Sequence, residues 1–146
     1  MHLLAPQWFE TLPSTNDCLI RMLSETPELP SGMVIATANQ TAGRGRHDRV
    51  WQSRPGDDLA CSLLVRGNVP SERVPCLSMA VGIGVSHTLD RFGVTTQVKW
   101  PNDVLTNGRK LAGILSEYVP EAGDGGKCCV VGIGINVNMP LEGLAA

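Results

Sequence analysis

With 146 residues, 42% hydrophobic and 18% charged, the chain is long enough to bury one core and too apolar for a disordered segment. A net charge of −2 and a pI near 5.9 argue against a general binder of nucleic acid or anionic membranes, and no apolar run is long enough to span a bilayer. The N-terminus lacks a basic region followed by an apolar stretch and cleavage site, so no signal peptide is read and a cytoplasmic location is expected.

Residues 7–12 fit a short strand, and Pro13-Ser14-Thr15-Asn16 supplies the N-cap of a helix over 17–23 with apolar Leu19, Ile20 and Leu23. Residues 33–38 read as a buried strand that leads into a Gly/Arg loop over 39–57. A strand follows at 59–65. Ser71 then caps a helix to about residue 92, whose apolar positions Val74, Leu77, Val81, Val85 and Leu89 recur every three to four residues. His87 falls inside that helix and reads as structural. A strand over 96–100 stops at Pro101. Asn107-Gly108 between two apolar runs predicts a type I′ hairpin, because both central residues need φ > 0. Its return strand covers 110–119, the polar, Gly-rich stretch 121–127 reads as a mobile loop, and 128–135 is a final core strand.

Strands outnumber helices, which predicts an α+β domain: a mixed, largely antiparallel β-sheet flanked by a few helices. Five cysteines, an odd number with no C-x-x-C pair, read as small buried apolar residues in a reducing compartment. Adjacent Cys128 and Cys129 are expected on opposite faces of a strand.

Four segments can carry chemistry, each at a strand end or in a loop. Gly43-Arg44-Gly45-Arg46, with Arg49 and Trp51, offers backbone amides and guanidinium groups to a phosphate or carboxylate, or is a solvated basic loop. Lys99-Trp100-Pro101-Asn102-Asp103 brings together a cation, an aromatic and a carboxamide–carboxylate pair, or is an ordinary turn. Lys110, beside the hairpin, can stabilise charge on a phosphoryl or carboxyl oxygen, or blunts a strand end. Glu117 can simply face solvent. Gly132-Ile133-Gly134-Ile135-Asn136-Val137-Asn138 lacks Gly-x-Gly-x-x-Gly spacing and opens no helix, which rules out a dinucleotide fingerprint, and no Walker A stretch exists. Scattered His2, His47 and His87 and the absence of a nucleophile elbow leave activation of a bound anion by positioning and positive charge.

In this order, Ser14-Thr15-Asn16, Gly43-Arg44-Gly45-Arg46-x-x-Arg49-x-Trp51, Lys99-Trp100-Pro101-Asn102-Asp103, Lys110-Leu111-x-Gly113-Ile114-Leu115-x-Glu117 and Gly132-Ile133-Gly134-Ile135-Asn136-Val137-Asn138 closely resemble the catalytic domain of biotin protein ligases, also called biotin–[acetyl-CoA-carboxylase] ligases. The resemblance spans roughly residues 10–140 and implies a fold like that of class II aminoacyl-tRNA synthetases and biotin ligases. It implies two steps. Biotin's carboxylate attacks the α-phosphate of ATP, with Mg²⁺, to give biotinyl-5′-AMP. A lysine of a biotin carboxyl carrier protein then displaces AMP.

By the same resemblance Ser14, Thr15, Gln40, Gly43, Arg44 and Gly113 fall at biotin-site positions. Arg46 and Lys110 lie between the biotin carboxylate and the phosphate as the catalytic pair, and Lys110 is the most important side chain. Trp51, Asn102, Asp103 and Asn136 fall near the adenylate, with Arg49 anchoring the loop or meeting pyrophosphate. No Mg²⁺ ligands are assigned. The resemblance leaves a homodimer open, and loop 43–54 is expected to order on binding the adenylate. Residues 1–146 read as one catalytic domain, shortened at the C-terminus, without the winged-helix DNA-binding domain or the SH3-like C-terminal domain of longer family members. Two other readings compete: a lipoate ligase or octanoyltransferase on the same scaffold, and a binding-only fragment that holds biotin or its adenylate.

Overall fold

The computed structural model describes residues 2–67, 69–122 and 126–139. In chain order it contains β1 (Gln7–Phe9), α1 (Thr15–Glu25), β2 (Val34–Thr37), β3 (Asp58–Arg66), a 3-10 turn (Ser71–Arg73), α2 (Val74–Asp90), β4 (Gln97–Lys99), β5 (Asp103–Thr106), β6 (Arg109–Ala122) and β7 (Gly126–Asn136). The seven strands form one sheet in the order β1-β2-β3-β7-β6-β5-β4. Only β1 and β2 run parallel; the other pairings are antiparallel. The α+β expectation holds.

Side-chain alternation along the central strands gives the sheet two different faces. Cys128 and Val130 of β7 join Leu19 and Leu23 of α1, Ile35 and Leu64 on one face. Cys129 and Val131 join Val104, Ala112 and Ile114 on the other, beneath Leu77, Val81, Val85 and Leu89 of α2. Helices therefore cover β7 from both sides, which is why its sequence is a continuous apolar run rather than an alternating one. Burying a side chain such as Ile114 in this layer contributes about 1.5–3 kcal/mol.

Several local expectations shift. The first strand ends at Phe9, and the chain resumes pairing only as an isolated parallel bridge from Leu12 to Gln40. The first helix is longer than expected, Thr15–Glu25; the Ser14 hydroxyl accepts from the Asp17 amide as its cap. Ser71 begins the 3-10 turn, and α2 starts at Val74 with Pro75 in its first turn. His87 is exposed on α2, so it is not a core histidine. Asn107 and Gly108 have φ of 49° and 75°, as the type I′ turn requires. Strands β6 and β7 continue to Ala122 and from Gly126, into the stretch expected as a loop; residues 123–125 and 140–146 lie outside the described residues.

No disulfide joins any of the five cysteines among the described residues. Cys18, Cys128 and Cys129 are buried as expected, but Cys61 is partly covered and Cys76 is exposed on α2. Burial pushes the Cys61 thiol up to about 11, which keeps it protonated and unreactive near neutral pH.

Candidate active site

The α1 face of the sheet opens beyond the helix into a cavity of about 730 Å³. Its floor is glycine-rich because two side chains lie directly on the strands. Gly113 of β6 and Gly134 of β7 are cross-strand partners, and the Trp51 ring rests on them. A Cβ at Gly134 would stand 2.5 Å from Trp51 Cε2, closer than any real contact. At Gly132, a Cβ would stand 2.4 Å from Asn16 Oδ1, so this glycine admits the N-terminus of α1 to the sheet.

That N-terminus is held by a polar network. The Thr15 amide donates to Gln40 Oε1 at 2.8 Å. Ser62, fully buried in β3, donates toward Asn16 Oδ1 (2.6 Å) and the Thr15 hydroxyl (2.8 Å). Asn16 Nδ2 donates to the Leu115 carbonyl (3.1 Å) and to Glu117 Oε2 (2.6 Å). Glu117 thus faces the site rather than solvent: it shares the face of Gly113 two residues at a time. Its carboxylate also accepts from Arg44 Nη2 at 2.8 and 2.9 Å, while Asp17 accepts from Arg44 Nε and Nη2. The Asp17 hydrogen bonds, with help from Glu117, raise the Arg44 pKa further above its ordinary value. Two carboxylates surround this guanidinium, so Arg44 acts as a fixed donor more than as a net positive charge.

The other cations stand differently. The Lys110 ammonium is 2.7 Å from Asp103 Oδ1 and 5.6 Å from the centre of the Trp51 ring. It reaches this face because β5 and β6 change register between Val104 and Leu105. Asp103 pairs with Gly113 and Val104 with Ala112, but Leu105 pairs with Lys110, which leaves Leu111 as an extra residue. A bulge of this kind re-aims the neighbouring side chain. Arg46 makes one long contact, from Nη1 to Asn102 Oδ1 at 3.5 Å, and neither Arg46 nor Arg49 has an ion-pair partner among the described residues. Asn102 is fixed by its own amide on the Ile114 carbonyl (2.9 Å), and Asn136 donates to the Lys110 carbonyl (3.0 Å).

Loop 43–51 folds back on itself. Gly45 donates to Arg49 (2.7 Å), Trp51 donates to Gly43 (2.9 Å), and His47 and Asp48 turn the chain with φ of 55° and 58°. Asp58, at the start of β3, accepts from the Trp51 indole (3.3 Å), the Ser53 hydroxyl (2.8 Å) and the Arg54 amide (3.3 Å).

Ser14, Thr15, Gln40, Arg44, Arg46, Arg49, Trp51, Asn102, Asp103, Lys110, Gly113 and Asn136 all line this one cavity. Gly43 does not; it is buried behind the loop, where a Cβ would stand 2.6 Å from the Trp51 carbonyl oxygen. The ordered segments contain Asn16, Glu117, Gly132 and Gly134 but give them no site role, and they do not include Asp58 or Ser62 at all. The period-two alternation from Gly113 points to Glu117, whereas nothing local marks Asp58 or Ser62. Among the described residues no three His, Cys, Asp or Glu side chains cluster as a metal site, and no helix is long and apolar enough to cross a membrane.

A sheet with a glycine floor, a short Gly/Arg loop closing over it and cations gathered at one end defines a protein class that the sequence comparison makes explicit. Residues 8–136 match the Biotin/lipoate A/B protein ligase family, and the chain belongs to that family. It is 41% identical over 114 residues to the bifunctional ligase/repressor BirA of Bacillus spizizenii, covering 77% of this chain and 35% of that protein. To the biotin–[acetyl-CoA-carboxylase] ligase of Mycobacterium tuberculosis it is 36% identical over 134 residues, covering 88% and 48%. The fold matches the biotin protein ligase of Aquifex aeolicus in complex with biotin and ATP with a TM-score of 0.74 and 31% identity, over 94% of this chain and 55% of that one. The chain thus spans about a third to a half of the length of these curated relatives.

Proposed function

We propose that this chain is a biotin–protein ligase. A carboxylate oxygen of biotin attacks the α-phosphorus of ATP, the bond to the bridging oxygen breaks, and pyrophosphate leaves. The ε-amine of a lysine on a biotin carboxyl carrier protein then attacks the acyl carbon of biotinyl-5′-AMP, loses a proton and releases AMP. ATP and a carrier subunit of acetyl-CoA carboxylase set the cytoplasm as the proposed place of action.

The observation that carries this reading is the shared cavity of Arg44, Arg46 and Lys110, next to Trp51 on its glycine floor. Two anions must meet head to head, and their repulsion has to be offset by fixed positive charge. Arg46, with no carboxylate partner among the described residues, and Lys110, with one, are suited to the carboxylate–phosphate junction. Arg44, neutralised by Asp17 and Glu117, is suited to a polar, uncharged part of biotin together with Ser14, Thr15 and Gln40. Trp51, Asn102, Asp103 and Asn136 are assigned to the adenylate. Mg²⁺ enters with the nucleotide as Mg-ATP, held largely by phosphates and water, as is usual for this ion.

The test is mass spectrometry of the chain after incubation with biotin, Mg²⁺ and ATP. Retained biotinyl-AMP is expected. Preferential calorimetric binding of lipoate over biotin would replace this reading with the lipoate one. Retained adenylate with no label transferred to a carrier would reduce it to a binding-only fragment.

A further inference from the structure

Beyond the residues that would touch substrate, we infer that Asp58 is a positioning residue that sets the angle of the Trp51 indole and pins the stem of the Gly/Arg loop to the sheet. The inference rests on the reading that Trp51 meets the nucleotide. Asp58 is the first residue of β3 and only 4% exposed. Burying a carboxylate is costly unless donors replace the water it lost. It has three, and they divide by oxygen. Among the described residues Oδ2 accepts from the Trp51 Nε1–H alone, while Oδ1 accepts from the Ser53 hydroxyl and the Arg54 amide. Ser53 Oγ in turn accepts from the Gln40 amide at 3.1 Å, so the start and the end of the loop meet at one point. Asp58 also pairs in register with Asn136, whose side chain holds the Lys110 carbonyl. The indole therefore has its face on Gly134 and its edge on Asp58. A ring fixed at face and edge is oriented before any ligand arrives.

The division by oxygen makes the inference testable. In Asp58→Asn, Oδ1 still serves Ser53 and Arg54, but the second group becomes a donor that meets the indole N–H. The full chain is used with Trp8 and Trp100 replaced by Phe, so that Trp51 is its one tryptophan. Without substrates, Asp58→Asn is expected to raise acrylamide quenching of Trp51 about twofold while trypsin cleavage after Arg44, Arg46 and Arg49 stays near the parent rate. Asp58→Ala is expected to raise both, cleavage by about tenfold. In adenylate formation, Asp58→Asn is expected to raise KM for ATP about tenfold with kcat nearly unchanged, and to add nothing in a Trp51→Phe background.

Unchanged quenching in Asp58→Asn, or an equal rise in KM with and without the Trp51 indole, overturns the inference. Should Asp58→Ala fail to fold, Asp58→Asn and Trp51→Phe still decide it. Quenching and cleavage need no substrate, so their expected pattern in a chain that forms no adenylate would sink the ligase reading and leave the role of Asp58 standing.

Discussion

Strands β6 and β7 carry two different kinds of surface on their two faces. Toward α2 they present Ala112, Ile114, Cys129 and Val131, a dry layer with exposures of 1% or less. Toward the cavity the intervening positions are Gly113, Glu117, Gly132, Gly134 and Asn136, which hold other side chains rather than pack against them. The difference teaches how a small sheet supports a polar site. The α2 face and the part of the other face that packs on α1, with Cys128 and Val130, supply the stability, so the cavity part is free to be uneven, polar and charged, and the period of two keeps it apart from the dry layer behind it.

Breaking the polar face should remove chemistry and leave the fold. Lys110→Ala is expected to slow biotinyl-AMP formation by about 10²–10³-fold, the scale of losing one charged group aimed at developing negative charge. Its urea midpoint should fall modestly, because the pair's side chains are about a quarter exposed but Asp103 Oδ1 itself is buried and loses its ammonium partner. Equal rates of pyrophosphate release by the two proteins would remove Lys110 from the mechanism.

Breaking the dry face should do the reverse. Ile114→Ala is expected to lower unfolding stability by about 2–4 kcal/mol in urea titration, through lost transfer energy and an unfilled cavity. Adenylate formation per folded molecule should change little. A large loss of rate at full folding would mean that the two faces are coupled.

A methyl group at the floor sharpens the comparison with a smaller effect. Gly134→Ala is expected to lift the Trp51 ring and weaken nucleotide binding about tenfold by calorimetry, with a stability change of about 1–3 kcal/mol from overpacking. Unchanged affinity would show that Trp51 can leave Gly134 without consequence.

These contrasts also explain what could be read from the chain. Helix α2 and the Asn107-Gly108 turn were legible because apolar period and turn chemistry are local signals. The candidate site was legible as an ordered set of short segments, each ambiguous alone, and the cavity brings all but Gly43 of its expected members together. What was not legible depends on distant partners. Glu117 looked like a solvated charge until Asn16 and Arg44, far off in the chain, met it on one face. Asp58 has no neighbour in sequence that announces its burial. The early end of β1 and the exposure of His87 and Cys76 follow from which surfaces the tertiary packing leaves uncovered, which periodicity alone does not say.

The spare residue at Leu111 has a consequence for how this protein tolerates change. Upstream of it, β6 counts its side chains out of phase with the rest of the strand, and that offset is what delivers the ammonium of Lys110 to the wet side. Substituting Leu111 would alter packing only, and deleting it would regularise the ladder with Lys110 still opposite Leu105 on the wet side, but one residue inserted between Lys110 and Leu111, with the bulge kept, would turn the ammonium toward the oily layer below α2. At this point the length of the chain, more than its lettering, carries the chemistry.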